Sequence, residues 1–431
     1  MKGKFFLMLV GIVSLVLIAT GCESNGGSAH SGKVTLTILA EADSADSLKA
    51  VAKGYEEKHP NVTVKVQSYP FADLFKQQQV VLNAHDPSAD ILYIDGPTLP
   101  DFASKGWIEP LDNYIDDSVK KEWSKSMADE VTIQGKLYAA PMNSSSQVLF
   151  YNKEILKKNG IEPPENDVNK RWTWEKLVNN AKKVKGKSNG QKVWGFAFEQ
   201  ANRAYQLIPL AQSLGATKLV SDDGLKSSGY TNSKEMIKAG QFMNDLYNTW
   251  KITPKISADQ TNDYFSSGKL AFIEGGSWDA VDFKKAGVNF GIAPVPYFSG
   301  GKPVTPTGSW TLGVSKYSKN KSESAKLIKY MSTGEGAKKW FDLEGNLPAT
   351  THLLEQIQKD PKYKKLPYSA SSLAAYEDQH DSMLRPKTPG YITWESEVDK
   401  AFENIMDGTD PKKALDESVK QMDNELEKYK N

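Results

Sequence analysis

Two acidic side chains and one tyrosine stand at the ends of three predicted strands: Glu41, Tyr69 and Asp95. Carboxylates and phenols accept or donate hydrogen bonds, so these residue types can hold a polar ligand. If the strands are parallel, their carboxyl ends meet at one sheet edge, where α/β proteins bind ligands. Two alternatives stay open. Glu41 and its neighbour Asp43 can serve the following helix as caps, and Asp95 can form a turn with the next two residues.

Three further aromatic side chains directly follow glycine-containing turns: Trp278, Trp310 and Tyr391. The sequence contains 10 Trp and 18 Tyr, more than a core of this size needs. A flat ring held at a loop tip offers an apolar platform for the C–H face of a sugar, while neighbouring groups supply hydrogen bonds. The alternative for each ring is a core anchor beneath a loop. The pattern favours a carbohydrate-binding site.

Motifs of common catalytic sites are missing from the sequence. Its five histidines never stand three or four residues apart, and it has no Gly-x-Ser-x-Gly elbow and no dinucleotide fingerprint after the first strand. The single cysteine excludes an intramolecular disulfide and zinc sites built on several cysteines. We expect no metal and no cofactor. Carboxylates are plentiful, and their spacing alone leaves a glycosidase pair open.

Strand and helix patterns alternate at the start of the chain. Apolar residues alternate with polar ones from Val34 and again from Val62, and an apolar run covers 89–94. Helical patterns separate these strands, which predicts a β-α-β-α-β unit with a parallel sheet. Further helices are predicted at 176–185, where Thr173 is a plausible cap, and near 236–247, 398–406 and 415–429.

The charge balance is nearly neutral. Lys and Arg total 54 and Asp and Glu total 53 in 431 residues. Removing an N-terminal leader subtracts Lys2 and Lys4, which leaves 52 basic residues and a net charge of −1. Such a balance argues against the strong positive field of a nucleic-acid-binding protein, so we expect no nucleic-acid partner.

The first 21 residues have the pattern of a removable signal. Lys2 and Lys4 precede an apolar run over 5–18, which is short for a membrane span and typical of a signal-peptide core. Small residues then precede Cys22, as in a bacterial lipoprotein signal. We expect lipidation at Cys22 and a flexible tether over 22–32, whose last ten residues span roughly 17 Å. The protein would then lie at the outer face of the cytoplasmic membrane, anchored by its lipid.

An ordered set of motifs carries a family resemblance. They lie at Ala89–Asp95, Gly106–Leu111, Leu149–Lys153, Phe265–Trp278 and Gly308–Val314. Together they resemble the extracellular solute-binding proteins of bacterial sugar ABC importers, the family represented by maltose-binding protein. The resemblance covers essentially the whole mature chain. Two positions depart from it: Glu274 is acidic where the family is usually neutral, and Trp394 lies near the last stacking position.

The resemblance implies a two-lobed α/β fold. Each lobe would be a mostly parallel sheet flanked by helices, with a ligand cleft between the lobes. The first lobe would hold residues 33–142 and about 310–360, and the second 143–309 and about 361–431. Asn143 and Ser144 begin a small, polar segment suited to a hinge between the lobes.

The resemblance also implies a function. The chain would be a monomeric receptor that binds a carbohydrate by hinge closure and delivers it to the permease subunits of an ABC importer. Glu41, Asp95 and Arg385 would bind sugar hydroxyls, and Tyr69, Trp278, Trp310 or Tyr391 would stack on sugar faces. As a residue of the cleft rim, Asp95 would support little of the core. Two alternatives are a secreted glycoside hydrolase or lyase and a receptor of the same fold for a non-sugar solute.

Overall fold

The predicted alternation of strand and helix is present in the computed structural model, which describes residues 32–188 and 190–430. Its opening elements are the strands Val34–Glu41, Val62–Tyr69 and Ile91–Asp95 and the helices Ala45–Lys58 and Phe71–Asn83. The first strand pairs in parallel with both of the others, which confirms the β-α-β-α-β prediction. Cys22 and the proposed signal and tether up to Ser31 lie outside the described residues.

The first sheet has five strands, four of which run in the same direction, so it is mostly parallel as expected. Its spatial order is Val62–Tyr69, Val34–Glu41, Ile91–Asp95, Trp310–Val314, Ala139–Pro141. Trp310–Val314 runs antiparallel to both of its neighbours. The reason is topological: this strand enters the sheet at the cleft edge, whereas the three opening strands end there.

The second sheet has four strands, three of which run in the same direction. Its spatial order is Trp194–Phe198, Leu270–Gly276, Gln147–Asn152, Phe290–Ala293. The first two strands are parallel to each other, while Gln147–Asn152 runs antiparallel to both of its neighbours. This central strand arrives directly from the first sheet, so it also starts at the cleft edge.

Helices cover both sheets. The remaining α-helices of the described chain are Leu99–Ser104, Asp117–Lys120, Lys125–Glu130, Lys153–Lys158, Trp174–Ala181, Ala204–Ser213, Lys234–Asn244, Ala258–Ser266, Asp279–Lys285, Lys321–Ser332, Gly334–Glu344, Thr351–Lys359, Ser369–His380, Tyr391–Met406 and Pro411–Leu426. Short strand pairs join Thr132–Ile133 with Lys136–Leu137, Lys187–Ser188 with Gln191–Lys192, Asn143–Ser144 with Leu347–Pro348, and Thr305–Pro306 with Ser382–Met383. The predicted cap is confirmed, because the Thr173 hydroxyl accepts a hydrogen bond from the Lys176 amide at 3.2 Å.

Three hydrophobic clusters form the core. One contains the first sheet with residues 312–340, and a second contains the second sheet with the two C-terminal helices. The third packs Phe341, Leu354 and Ile357 with Phe150 of the second sheet. Ala349 belongs to the cluster of the first sheet, whereas Phe341, Leu354 and Ile357 belong to the third cluster, so the segment 341–357 packs against both lobes. The lobe limits stay predictions.

Three chain segments cross between the sheets side by side. Asn143–Ser144 pairs with Leu347–Pro348, and Ser145 bridges to Gly308 of the second segment. Asp378 supports this region from a helix, because its carboxylate accepts a 2.7 Å hydrogen bond from the Thr307 hydroxyl. Within 32–188 and 190–430, no helix is both long enough and apolar enough to span a bilayer.

Candidate functional site: a cavity between the two sheets

A cavity of about 780 Å³ lies between the sheets and beside the crossing segments. Its wall carries six carboxylates: Glu41, Asp43, Asp95, Glu199, Asp282 and Glu344. Three aromatic rings also line it, those of Tyr205, Trp278 and Trp310, together with the guanidinium groups of Arg203 and Arg385. Both sheets contribute, so the cavity sits where relative motion of the lobes would open or close it.

Glu41 and Asp95 reach this wall because they end neighbouring parallel strands, as predicted. Burial raises the pKa of Glu41 to about 7, and the nearby carboxylates of Asp43, Glu344 and Asp95 add to the effect, while Arg203 opposes it. The alternative role of Glu41 and Asp43 as caps is not supported. The helix that follows has no side-chain capping bond at its N-cap, Ser44.

Asp95 and Arg385 were both predicted to bind ligand hydroxyls. In the structure, the two side chains form an ion pair with each other. Nη2 of Arg385 donates to one Asp95 carboxylate oxygen at 2.9 Å, and Nη1 donates to the other at 3.3 Å. Asp95 is only 9% exposed and Arg385 7%. The expectation that Asp95 supports little of the core is therefore wrong, because a buried bidentate ion pair becomes costly once one partner is removed.

Tyr391 supports Arg385 and does not face the cavity, which corrects its predicted stacking role. Its ring is fully buried, and its hydroxyl donates to Glu395 at 2.8 Å. Nη1 of Arg385 donates to that same hydroxyl at 3.1 Å. Gly308 lies against the other side of the guanidinium, where an added Cβ would stand 2.7 Å from Nη2. The arginine is thus held in place by groups beneath and beside it.

Glu130 lies behind Asp95, and sequence reasoning did not identify it. It is 4% exposed and accepts a 2.6 Å hydrogen bond from the Ser309 hydroxyl. Burial raises the pKa of Glu130 to about 7, and the negative charge of the neighbouring Asp95 also raises it. The hydrogen bond from Ser309 and the positive charge of Arg385 oppose this shift. The residue ends a short helix, and nothing local in the sequence distinguishes it from an exposed glutamate.

Trp278 and Trp310 both line the cavity, as predicted, and both rings are partly exposed. The Trp278 indole lies against the backbone of Gly276, where any Cβ would stand 1.9 Å from the ring. The Trp310 ring stacks on Tyr93, with centroids 4.4 Å apart and planes 4° apart. Gly276 therefore supports the Trp278 indole from one side, whereas the Trp310 ring lies parallel both to Tyr93 and to Phe75, whose centroid is 6.4 Å away.

Tyr69 does not line the cavity, although it pairs in register with Glu41 at its edge. Its hydroxyl accepts a hydrogen bond from the Gln67 side chain. The two departures from the family pattern are also placed away from the cavity wall. Trp394 is fully buried and donates to the Thr231 hydroxyl at 2.9 Å, and Glu274 is 1% exposed. Burial raises the pKa of Glu274 well above its ordinary value.

A second acidic group underlies the opposite wall. Glu199 directly follows the strand Trp194–Phe198 and accepts a 2.8 Å hydrogen bond from the Gly276 amide. Beside it, Asp279 accepts a 2.9 Å bond from Asn262. Burial raises the pKa of both carboxyls, and their proximity raises that of Asp279 further. The rule that strand ends meet at the ligand edge, applied to this strand, would have found Glu199.

The proposed hinge residues lie at the cavity floor. Asn143 lines the cavity and is 2% exposed, and Ser144 is fully buried. The next residue, Ser145, donates through its hydroxyl to the Gly308 carbonyl at 3.1 Å. The segment is small and polar, as expected, but it is held by the strand pair with Leu347–Pro348 and by the bridge between Ser145 and Gly308.

The cavity wall offers many acceptors, few cations and two indole side chains. Such a wall suits a ligand that donates several hydrogen bonds and has apolar faces. Among the described residues, no group of three or more His, Cys, Asp or Glu side chains is placed to hold a metal ion. Binding and orientation of a polyhydroxylated ligand is what this geometry can do best.

Comparison with known proteins also indicates a binding protein. The family model for the bacterial extracellular solute-binding protein matches residues 41–338. A galactooligosaccharide-binding protein of Bacillus subtilis is 24% identical over 96% of this chain and 94% of its own length. A maltotriose-binding protein of Pyrococcus abyssi is 25% identical over 90% of this chain and 80% of its own.

Solved structures share the fold. An ABC substrate-binding protein of Listeria monocytogenes in complex with cycloalternan aligns with a TM-score of 0.79 at 24% identity, over 92% of this chain and 99% of that one. A cyclo/maltodextrin-binding protein complexed with maltotetraose aligns with a TM-score of 0.74 at 24% identity, over 95% of this chain and all of the other. The expected two-lobed α/β class is confirmed.

Proposed function

Because this chain belongs to the bacterial extracellular solute-binding protein family, we propose that it is the carbohydrate receptor of an ABC importer. Family membership also confirms the expectation of a binding protein rather than an enzyme, which removes the glycoside hydrolase and lyase alternative. The proposed ligand is an oligosaccharide. The receptor would capture it in the cavity between the lobes and present it to the permease subunits.

The observation that carries the sugar assignment is that a partly exposed indole, Trp278, shares its cavity with several carboxylate acceptors. Trp278 and Trp310 line the same cavity as Glu41 and Glu199. Sugars present both C–H faces, which stack on indoles, and hydroxyls, which donate to carboxylates. Two of the relatives, a galactooligosaccharide-binding and a maltotriose-binding protein, support the same ligand class.

Closure of the lobes is the proposed binding motion. Three segments cross between the sheets, and one of them carries Asn143 and Ser144 into the cavity floor. Few residues cross, so rotation about them needs few changes in backbone angle. Periplasmic binding proteins as a class close around their ligands by hinge motion, and the proposal extends that motion to this chain by analogy.

Membrane tethering is proposed from the N-terminal sequence. Cys22 is the only cysteine of the chain and stands directly after small residues and an apolar segment. A lipid on Cys22 would anchor the receptor at the outer face of the cytoplasmic membrane. We propose that the receptor acts there as a monomer.

A thermal-shift screen over mono- and oligosaccharides tests the proposal. A ligand present at 100 times its dissociation constant adds about 2.7 kcal/mol to the free energy of unfolding. We expect a rise in melting temperature with at least one oligosaccharide, followed by calorimetric titration of that sugar. Amino acids, short peptides and polyamines serve as the comparison set. Stabilisation by one of those, with none by any sugar, would establish the non-sugar receptor instead.

A further inference from the structure

A second, smaller cavity opens directly beside the first. It has a volume of about 330 Å³ and shares Trp278, Asp282 and Glu344 with the cavity between the sheets. Its remaining wall comes from the end of the helix Gly334–Glu344, the helix Asp279–Lys285 and the segment 362–371. The side chain of Trp278 therefore stands at the passage from one cavity to the other.

Exposed apolar side chains are concentrated in this second cavity. Four large apolar side chains are exposed in the described chain, and three of them line it: Val281 at 37%, Leu343 at 49% and Tyr368 at 42%. The fourth, Val80, lies on the helix Phe71–Asn83, away from both cavities. Clustered exposed apolar surface costs free energy in water and marks a binding surface, whereas single exposed residues do not.

The apolar surface has aromatic support beneath it. Tyr363 meets the Tyr368 ring edge to face, with centroids 6.1 Å apart, and stacks on Phe341 at 6.0 Å. Tyr363 and Phe341 are both buried in the core cluster that includes the second sheet. Tyr368 is therefore an exposed ring that packs on buried aromatic side chains, and such a ring can contact the apolar face of a sugar.

Polar groups surround this platform. The Lys362 ammonium lies 4.6 Å from the centroid of the Tyr368 ring, and Lys285 pairs with Asp282 at 2.9 Å. Glu344 is the last residue of its helix, before Gly345 in the left-handed conformation. Its carboxyl accepts hydrogen bonds from the Ser44 and Ser47 side chains at the start of the helix Ala45–Lys58, and the residue lines both cavities.

We propose that the second cavity is an extension subsite, which binds further sugar units of an oligosaccharide whose other end occupies the main cavity. The inference rests on the proposed carbohydrate function and adds a length preference to it. The ligand chain passes Trp278, places an apolar sugar face on Tyr368 and Leu343, and donates hydroxyls to Asp282 and Glu344. Short sugars fill only the main cavity and make none of these contacts.

The competing use of this surface is a contact with the importer. Continuity with the main cavity favours the sugar, because three side chains belong to both walls. The mixture of a ring, two lysines and two carboxylates around a concave pocket also matches a small polyhydroxylated ligand better than a flat protein surface.

The test is calorimetric titration of two linear series, from maltose to maltoheptaose and from galactobiose to galactohexaose. The variants are Tyr368→Ser, Leu343→Ser and the double variant, and Val80→Ser is the matched control at an exposed apolar residue outside the cavities. We expect the double variant to bind the longest sugar of the recognised series about tenfold more weakly, and the disaccharide unchanged. Val80→Ser should bind every member as wild type does.

The possible outcomes distinguish failure of the extension subsite from failure of the proposed receptor function. If wild type binds short sugars and the double variant keeps the affinity of wild type for long ones, the extension subsite is wrong and the carbohydrate receptor stands. If no sugar of these series or of the thermal-shift screen binds wild type, both proposals are wrong. If the variants bind all sugars normally but reduce uptake in cells, the surface contacts the importer and the subsite is overturned. The melting temperatures of the single variants confirm that each is folded.

Discussion

Arg385 reaches the end of the first sheet and donates to both carboxylate oxygens of Asp95, at 2.9 and 3.3 Å. The arginine comes from the segment between two helices that pack on the second sheet, whereas Asp95 ends a strand of the first. The pair therefore links the lobes at the cavity floor. Glu395 and the Tyr391 hydroxyl hold the same guanidinium from below, at 3.3 and 3.1 Å.

Asp95→Asn should destabilise the protein without ligand and weaken sugar binding. The substitution keeps the shape but leaves a buried guanidinium with Glu395 as its remaining close carboxylate. We expect a loss of roughly 3 kcal/mol in the free energy of unfolding, the low end for breaking a buried ion pair. Urea denaturation of the apo protein measures it. Asp43→Asn, at an exposed acid of the same cavity, is the control and should change stability little. Equal stability of Asp95→Asn and wild type would contradict a structural role for the pair.

Trp278→Ala should weaken binding of the sugar found in the screen by ~1–3 kcal/mol, the range for losing one well-packed aromatic contact. The melting temperature without ligand should barely move, because Trp278 belongs to none of the three core clusters. Calorimetric titration and thermal melting provide the two measurements. Trp278→Phe should recover part of the affinity. Collapse of the apo protein would instead show that the ring is a core anchor.

Glu130→Gln should remove part of the pH dependence of stability. The pKa of Glu130 rises from 4.5 to about 7 in the folded protein, mainly through burial. The folded state then keeps a proton that the unfolded state has lost, so stability falls as pH rises from 4.5 towards 7. Glutamine stays neutral and avoids this loss. The free energy of unfolding of the variant should therefore rise relative to that of wild type over that interval. The rise should be about 3 kcal/mol at most, since each unit of pKa is worth about 1.4 kcal/mol.

Urea denaturation at a series of pH values between 4.5 and 8 measures that difference. Other buried carboxyls with raised pKa, among them Glu377 and Asp378, occur in both proteins and cancel in the comparison. Glu122→Gln, at an exposed glutamate in the same part of the chain, should track wild type at every pH. A constant difference between Glu130→Gln and wild type would rule out titration of Glu130 in this range.

Cys22→Ala should release the protein from the membrane into the medium. The prediction follows from the basic start, the short apolar run and the lone cysteine. Mass spectrometry of the membrane fraction should show a diacylglyceryl group on a peptide that begins at Cys22. A mature protein that retains Met1 would refute both cleavage and lipidation.

Local patterns were enough to place much of the first wall of the cavity. Glu41 and Asp95 were found because strand period and parallel connection together determine where strand ends meet. Trp278 and Trp310 were found because a ring after a glycine turn is a recognisable local feature. Tyr391 has the same local feature, yet it points into the core, since burial depends on the helix that follows and on what packs against it.

Other residues of the site have no local signature. Glu130, Glu344 and Arg203 look like ordinary surface residues in the sequence, and only contacts between distant segments bring them to the cavity or behind it. The same holds for the apolar surface around Tyr368, whose members come from three separate segments. The assignment of the segment 341–357 to a lobe also depends on packing, because Phe341 and Leu354 are apolar in either lobe.

The sequence alone determined three features: the family, the order of strands and helices at the start of the chain, and the kinds of side chain at the strand ends. These follow from periodicity and turn chemistry, which act over a few residues. Packing of the sheets was needed to show that Asp95 and Arg385 pair, that Tyr391 is buried and that two cavities meet at Trp278. The physical reason is that burial and pairing join residues as far apart as 95 and 385, and no interaction along the chain determines such a contact before the sheets pack together.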